Sequence, residues 1–204
     1  MEKRTDRQTR TCLTEFKTRE DGEKLRIEGY FSVFNSIYEL WPGATESVAP
    51  GAFSETLRID DIRALIDHET MYVLGRNVAQ TLELREDDHG LWGGIDINPN
   101  DQDAMNLYAR VQRGDVNQCS FGFDILDEET EYSEDGSVHW TIKQVKLYEV
   151  SICTFPAYKE TEVEARRKDY EQIRQRKIEA GKNELLKRHE GIKIECLRGE
   201  AFMN

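Results

Sequence analysis

The sequence has no long apolar run and no signal-like start, and both absences narrow what the chain can be. No apolar stretch in the 204-residue sequence approaches the about 18 consecutive apolar residues that a membrane-spanning helix needs. The charged segment Met1 to Arg10 has no apolar stretch behind it, unlike a secretory signal. We therefore expect a protein that works in the cytoplasm and does not associate with a membrane.

Cysteine is scarce and unpaired in the sequence. The four cysteines, Cys12, Cys119, Cys153 and Cys196, lack the CxxC spacing of a zinc site and the density of a disulfide-stapled domain. A calcium-loop-like start at Asp96 lacks the required glycine and glutamate, and the glycines form no phosphate-binding loop. We predict reduced thiols, no metal and no cofactor.

Basic residues are too few in the first part of the chain to balance its acidic ones. Residues 1–158 hold 30 acidic and 16 basic side chains, whereas residues 159–204 hold 10 and 12. Such an acidic body repels phosphate backbones, so nucleic-acid binding by this part is not expected. Thr161 to Glu190 is almost wholly charged, which predicts a helical tail over 159–204 that docks on a partner, forms a coiled coil or stays solvated.

The body itself shows mainly the period-two pattern of strands. Alternation over Lys24 to Phe34 predicts a half-buried strand, and Leu82 to Ile97 predicts a hairpin closed by Gly90. Further strands are expected at Arg63–Ile66, Ser120–Leu126, Val138–Gln144 and Val145–Cys153.

Two segments have helical character. Ala104, Leu107, Tyr108 and Val111 follow helical spacing between Asp101 and Gly114, which predicts a capped helix lying on the sheet. A short helix is expected around Phe53 and Leu57, after the break at Pro50-Gly51. The fold class is therefore α+β, mainly β.

Only four histidines are present, so the search for a catalytic base is short. His68 follows the apolar run Ala64 to Ile66 and precedes a turn-like Glu69-Thr70, which would place its ring at a strand end, where functional sites usually lie. The alternative is that His68 is a partly buried structural residue whose ring is hydrogen-bonded to a backbone carbonyl. His89 falls in a hairpin turn, His139 in a strand and His189 in the tail.

The order of several short segments resembles the prohead maturation proteases of tailed bacteriophages and proviruses, relatives of the herpesvirus assemblins. The segments are Glu46–Phe53, Leu65–His68, Val73–Arg76, Asp87–Leu91, Gly114–Phe123, Leu147–Ile152 and Phe155–Ala157. This resemblance implies an assemblin-like closed or partly closed β-barrel with surrounding helices, a protease domain over 1–158, Ser120 as nucleophile and His68 as base.

Residue patterns support this assignment and leave the third member of the site open. In a strand at Ser120, the hydroxyl would point away from Phe121 and Phe123, and Gly122 would leave room for a peptide carbonyl. A buried Glu149 needs a partner, which an imidazolium would supply, and the family has an acid there. His139 is the alternative, because assemblins use a second histidine.

Two neighbours of the candidate residues, Asp67 and Cys119, are less suited to the site. Asp67 is not expected to pair with His68, because neighbours on a strand point to opposite faces. Cys119 is an alternative nucleophile, but it would face the aromatic side and is more typical of a core residue.

The resemblance also implies substrates, partners and location. They are the scaffold segment of the major capsid protein, any separate scaffold protein and the protease itself, inside the prohead in the bacterial host cytoplasm. A homodimer is possible, as in assemblins. The rival interpretations are a catalytically silent capsid-assembly protein with the same fold, and an unrelated β-rich binding domain.

Overall fold

The computed structural model describes residues 8–21, 24–133, 135–155 and 182. Apart from residue 182, the helical tail lies outside these ranges, as does the domain boundary at residue 158, and both stay predictions. The strands are β1 Gln8–Leu13, β2 Lys17–Asp21, β3 Lys24–Val33, β4 Tyr38–Trp41, β5 Ala44–Val48, β6 Arg63–Ile66, β7 Glu69–Arg76, β8 Leu82–Glu86, β9 Gly90–Ile97, β10 Gln118–Tyr132 and β11 Val138–Cys153. The helices are α1 Ser54–Ile59, the 3-10 helix Asn77–Ala79 and α2 Gln102–Arg113.

The described strands form two sheets. A seven-stranded sheet has the order β1-β10-β11-β5-β4, with β6 and β7 branching from β11, and a four-stranded sheet has the order β2-β3-β9-β8. The mainly β class is confirmed, but these sheets do not close into the expected barrel. One edge of β11 is divided between two parallel partners, β5 at Val138–Ile142 and β6 at Glu149–Ile152, so the sheet branches there.

A long antiparallel hairpin of β10 and β11 is the centre of the larger sheet. The sequence predicted two strands in place of β11, with a boundary at Gln144; the structure has one continuous strand of 16 residues. The register shifts twice near Asp127, between Ile125 and Glu128. Local irregularity of this kind weakens the alternation without ending the strand.

Helix α2 has the ends that its sequence predicts. The Asp101 side chain accepts hydrogen bonds from the backbone N–H groups of Asp103 and Ala104, and Gly114 ends the helix in the left-handed conformation, at φ 84°. The helix buries its predicted stripe, Ala104, Leu107, Tyr108 and Val111.

Side chains from both sheets and both α-helices form one core. It includes Ile27 and Phe31 of β3, Phe53 beside α1, Leu107 of α2 and Phe123 of β10. Between residues 8 and 155, no described helix has the length and apolar character needed to cross a membrane. The core holds the β10–β11 hairpin rigidly against the second sheet, and the candidate site lies on the opposite face of that hairpin.

Candidate active site

His68 lies in a two-residue turn between β6 and β7. Ile66 pairs with Glu69, and the two residues between them have positive φ, 48° at Asp67 and 62° at His68. This is the backbone of a type I′ hairpin, which favours Asn and Gly because other side chains are strained there, by about 1–3 kcal/mol. The sequence placed the turn two residues later, at Glu69-Thr70, whereas His68 is part of the turn itself.

Hydrogen bonds to the end of β11 hold this strained turn. The Asp67 carboxylate accepts from the Thr154 N–H at 2.8 Å and from the Thr154 hydroxyl at 3.2 Å. The Asp67 N–H donates to the carbonyl of Ile152 at 3.1 Å. Asp67 therefore faces Thr154 and does not orient His68, as expected, although the reason is the turn and not strand alternation.

The imidazole of His68 is bonded to the carboxylate of Glu149. Nδ1 lies 2.7 Å from Oε1, and the Glu149 side chain is only 6% exposed while that of His68 is 26% exposed. A carboxylate that accepts from Nδ1–H leaves Nε2 as the nitrogen that can accept a proton. The two residues singled out in the sequence are thus in direct contact.

A β-bulge brings Glu149 to this face. Gly122 pairs with Glu149, whereas the next residue, Phe123, pairs with Leu147, so Tyr148 is the extra residue. Paired residues share a face, which puts Leu147 in the core with Phe123 and Glu149 on the opposite side. The sequence pattern placed Leu147 and Glu149 on one face, and that expectation is wrong because alternation does not show a bulge.

Ser120 lies on the same face of the sheet as Glu149. It stands between Thr11 of β1 and Ser151 of β11 in the strand register, and its side chain is fully buried. Among the described residues its Oγ has no hydrogen-bond partner, so no hydrogen bond joins it to His68. The structure therefore places the serine on the same side of the sheet as Glu149, without a hydrogen bond to His68.

The aromatic neighbours of Ser120 are buried as predicted. Phe121 and Phe123 lie in the core at 3% and 0% exposure, with their rings stacked 4.8 Å apart. A Cβ at Gly122 would collide with the carboxylate of Glu149. The missing side chain therefore makes room for the acid, and its expected role in admitting a peptide carbonyl stays a prediction.

His139 is held elsewhere in the sheet. Its Nδ1 lies 2.8 Å from the Thr45 hydroxyl and its Nε2 lies 2.9 Å from the Ser47 hydroxyl, both on β5. With both ring nitrogens bound to these hydroxyls, it does not contact the His68–Glu149 pair, so the structure offers no support for it as the third member. His89 packs edge-on against Tyr30, with centroids 4.5 Å apart.

Cys119 faces away from this site. Its Sγ lies 2.9 Å from that of Cys12, the residue directly opposite on β1. Burial raises the pKa of the Cys119 thiol well above its ordinary value, so the thiol is protonated at neutral pH. The position of Cys119 on the other face of the sheet and its protonated thiol both argue against it as the nucleophile.

Sequence reasoning missed one polar residue of the site, Ser151. It follows Glu149 by two positions, is fully buried and bonds both Glu149 and the backbone of His68. The segment Glu149-Val150-Ser151 in a strand was a usable signal, because residues two apart share a face. In the part of the chain that the structure describes, no group of three or more His, Cys, Asp or Glu could hold a metal ion.

Serine hydrolases combine a serine, a histidine and a carboxylate. Residues of these three types lie here on one sheet face, with the histidine hydrogen-bonded to the carboxylate. The chain matches the family model of caudovirus prohead serine proteases over residues 14–176. It belongs to that family.

Two phage proteins are similar to this chain. The prohead protease of Enterobacteria phage HK97 is 29% identical over 154 residues, which are 74% of this chain and 64% of the phage protein's length. The solved structure of the bacteriophage T4 capsid assembly protease, gp21, aligns at a TM-score of 0.48 and 10% identity, over 72% of this chain and 96% of that chain.

Proposed function

We propose that this chain is a serine endopeptidase that matures phage capsids, with Ser120 as nucleophile, His68 as general base and Glu149 as orienting acid. The observation that carries the proposal is the 2.7 Å contact between His68 Nδ1 and Glu149 Oε1 on the sheet face that also presents Ser120. Family membership supports the reaction class.

The mechanism follows from these three side chains. His68 Nε2 takes the proton of the Ser120 hydroxyl, and the oxygen attacks a peptide carbonyl to give an acyl-enzyme. The same nitrogen then protonates the departing amine, and water releases the acyl group. Glu149 fixes the tautomer of His68 and balances the positive charge that the ring gains.

The substrates and location are proposed from the family and from the names of the relatives. We place the protease inside the prohead, in the bacterial host cytoplasm, where it cleaves the scaffold segment of the major capsid protein, any scaffold protein and itself. The charged tail over 159–204 would retain the enzyme by pairing with scaffold helices. Self-association as a homodimer belongs to this proposal too.

Co-expression with the capsid protein of the same phage tests the reaction. We expect mass spectrometry to show truncated capsid protein with the wild type and only full-length chains with Ser120→Ala or His68→Ala. Glu149→Gln should slow cleavage by on the order of 10⁴-fold, because an amide can hold the wrong tautomer of the imidazole. Ser133→Ala, at an exposed serine, is the matched control and should cleave normally.

A catalytically silent capsid-assembly protein is the second candidate. The complete burial of Ser120, without a hydrogen bond to His68, favours it. In that case capsid protein would stay intact with the wild type, and Ser120→Ala would assemble proheads as well as the wild type does.

A further inference from the structure

Ser151 lies where three strands of the site meet. It pairs with Ser120 of β10 on one side of β11 and with Leu65 of β6 on the other. Its side chain is fully buried and shares a face with Ser120 and Glu149. Ser151 therefore lies next to the strand of Ser120, the side chain of Glu149 and the turn of His68, and its hydroxyl can link them.

The hydroxyl of Ser151 makes two hydrogen bonds, each to a different member of the site. Oγ donates to Oε2 of Glu149 at 2.6 Å and accepts from the backbone N–H of His68 at 3.2 Å. The other oxygen of Glu149 contacts the His68 ring. The three residues therefore form a closed ring of contacts in which the acid and the turn of the base are bound to one oxygen atom.

A hydroxyl suits this place because it can donate one hydrogen bond and accept another at the same time. A serine has one donor and two acceptor lone pairs, and here the donor satisfies the buried carboxylate while a lone pair satisfies the turn. Removing the hydroxyl leaves an oxygen of a buried carboxylate and a backbone N–H without these partners. The carboxylate would then be free to rotate, and the strained turn at His68 would lose one of its attachments to β11.

We propose that Ser151 is a positioning residue that holds both the carboxylate of Glu149 and the backbone of His68 in the place required opposite Ser120. The proposal rests on the function assigned above to those three residues. Ser151 does not touch substrate, because its single hydroxyl proton is given to Glu149. Its effect is on the rate of the Ser120 reaction and not on the binding of a reagent.

A fluorophosphonate probe measures that effect on the full-length chain, co-expressed with its capsid protein. The labelling rate at saturating probe reports the reactivity of Ser120, and the half-saturating concentration reports binding. For Ser151→Ala we expect the saturating rate to fall by about 100-fold, the size of effect that a misplaced catalytic group causes, with little change in half-saturation. Ser151→Thr, which keeps the hydroxyl, should recover most of the rate.

Ser47→Ala is the matched control. Ser47 is also a buried serine bonded to a histidine, at 2.9 Å from His139 Nε2, but it lies on β5 away from Ser120. It should lose similar stability and label at the wild-type rate. Equal slowing by Ser47→Ala and Ser151→Ala would overturn the proposal, because the effect would then follow from stability alone.

Two other results separate the possible failures. Wild-type labelling rates in Ser151→Ala, with labelling abolished in Ser120→Ala, would overturn the role of Ser151 and leave the protease function intact. Undiminished labelling of Ser120→Ala would overturn the function itself. If Ser151→Ala does not fold, Ser151→Cys replaces it: a thiol is a weaker donor, so slowed labelling supports the proposal and a wild-type rate overturns it.

Discussion

At the scale of single residues, the thiols illustrate how burial decides which chemically competent group can react. Cys12 is partly exposed, and the hydrogen bond from Cys119 lowers its pKa. Burial raises the pKa of Cys119, and burial with the nearby charges of Asp67 and Glu149 raises the pKa of Cys153 to about 12. Of these three thiols, only Cys12 combines partial exposure with a lowered pKa.

Alkylation by iodoacetamide should follow this order. In the native chain at pH 7 we expect Cys12 to be modified first, with Cys119 and Cys153 protected, and in denaturant all three should react. A group with a raised pKa stays protonated until the pH approaches the raised value, so going from pH 7 to pH 9 should not expose Cys153. Peptide mapping by mass spectrometry measures each site, and faster modification of Cys119 than of Cys12 would contradict the assignment.

The sequence singled out His68 and Ser120 through the resemblance to prohead proteases. The small number of histidines and the need of a buried Glu149 for a partner supported that choice. The sequence did not show how these three side chains are held together. The contacts of Ser151, and the space that Gly122 leaves for Glu149, depend on which residues of β10 and β11 are paired. Such pairing is a property of two distant segments, which single-strand alternation does not contain.

At the scale of elements, the β-bulge at Tyr148 is the feature on which the site depends. It turns Glu149 away from the core and towards Gly122, whose missing Cβ leaves space for the carboxylate. A glycine in a strand interior often marks such a close approach.

Gly122→Ala should therefore displace the acid. The added methyl group overlaps Oε1 of Glu149, so we expect a loss of about 1–3 kcal/mol in the free energy of unfolding and a strong loss of capsid cleavage. Thermal unfolding and the co-expression assay measure the two effects. Gly136→Asn, at an exposed left-handed turn of the same hairpin, is the control and should change neither. Normal cleavage by Gly122→Ala would contradict this account of the bulge.

Elements with a strong period were predicted well, and those defined by pairing were not. The hairpin at Leu82–Ile97 and helix α2, with both its caps, agree with the structure. Short strands such as β4 and β5 have no alternation long enough to read, and β11 looked like two strands. Their identity comes from neighbours that are remote in sequence.

At the scale of the whole molecule, the protein encloses Ser120, the proposed nucleophile. Ser120 has no exposed surface, and its strand lies between β1 and β11 in the sheet. A substrate carbonyl cannot reach its oxygen unless this part of the molecule opens or rearranges.

Labelling by a fluorophosphonate should therefore depend on assembly. We expect the isolated chain to label more slowly than the same chain inside proheads, where scaffold contacts can favour an open state. The measurement compares labelling rates at one probe concentration, with Ser120→Ala as the blank in each setting. Equal rates in both settings would contradict gating by assembly.

The hairpin that carries His68 has the minimum length for an antiparallel connection, so its backbone cannot absorb a change in length. Most surface connections accept an extra residue with little harm, but here an insertion between Ile66 and Glu69 would rotate the imidazole off the sheet face. Length, more than composition, is thus the property that this connection must preserve. Related chains should keep the two-residue spacing between Ile66 and Glu69, while the exposed residues Thr70, Met71 and Tyr72 can differ.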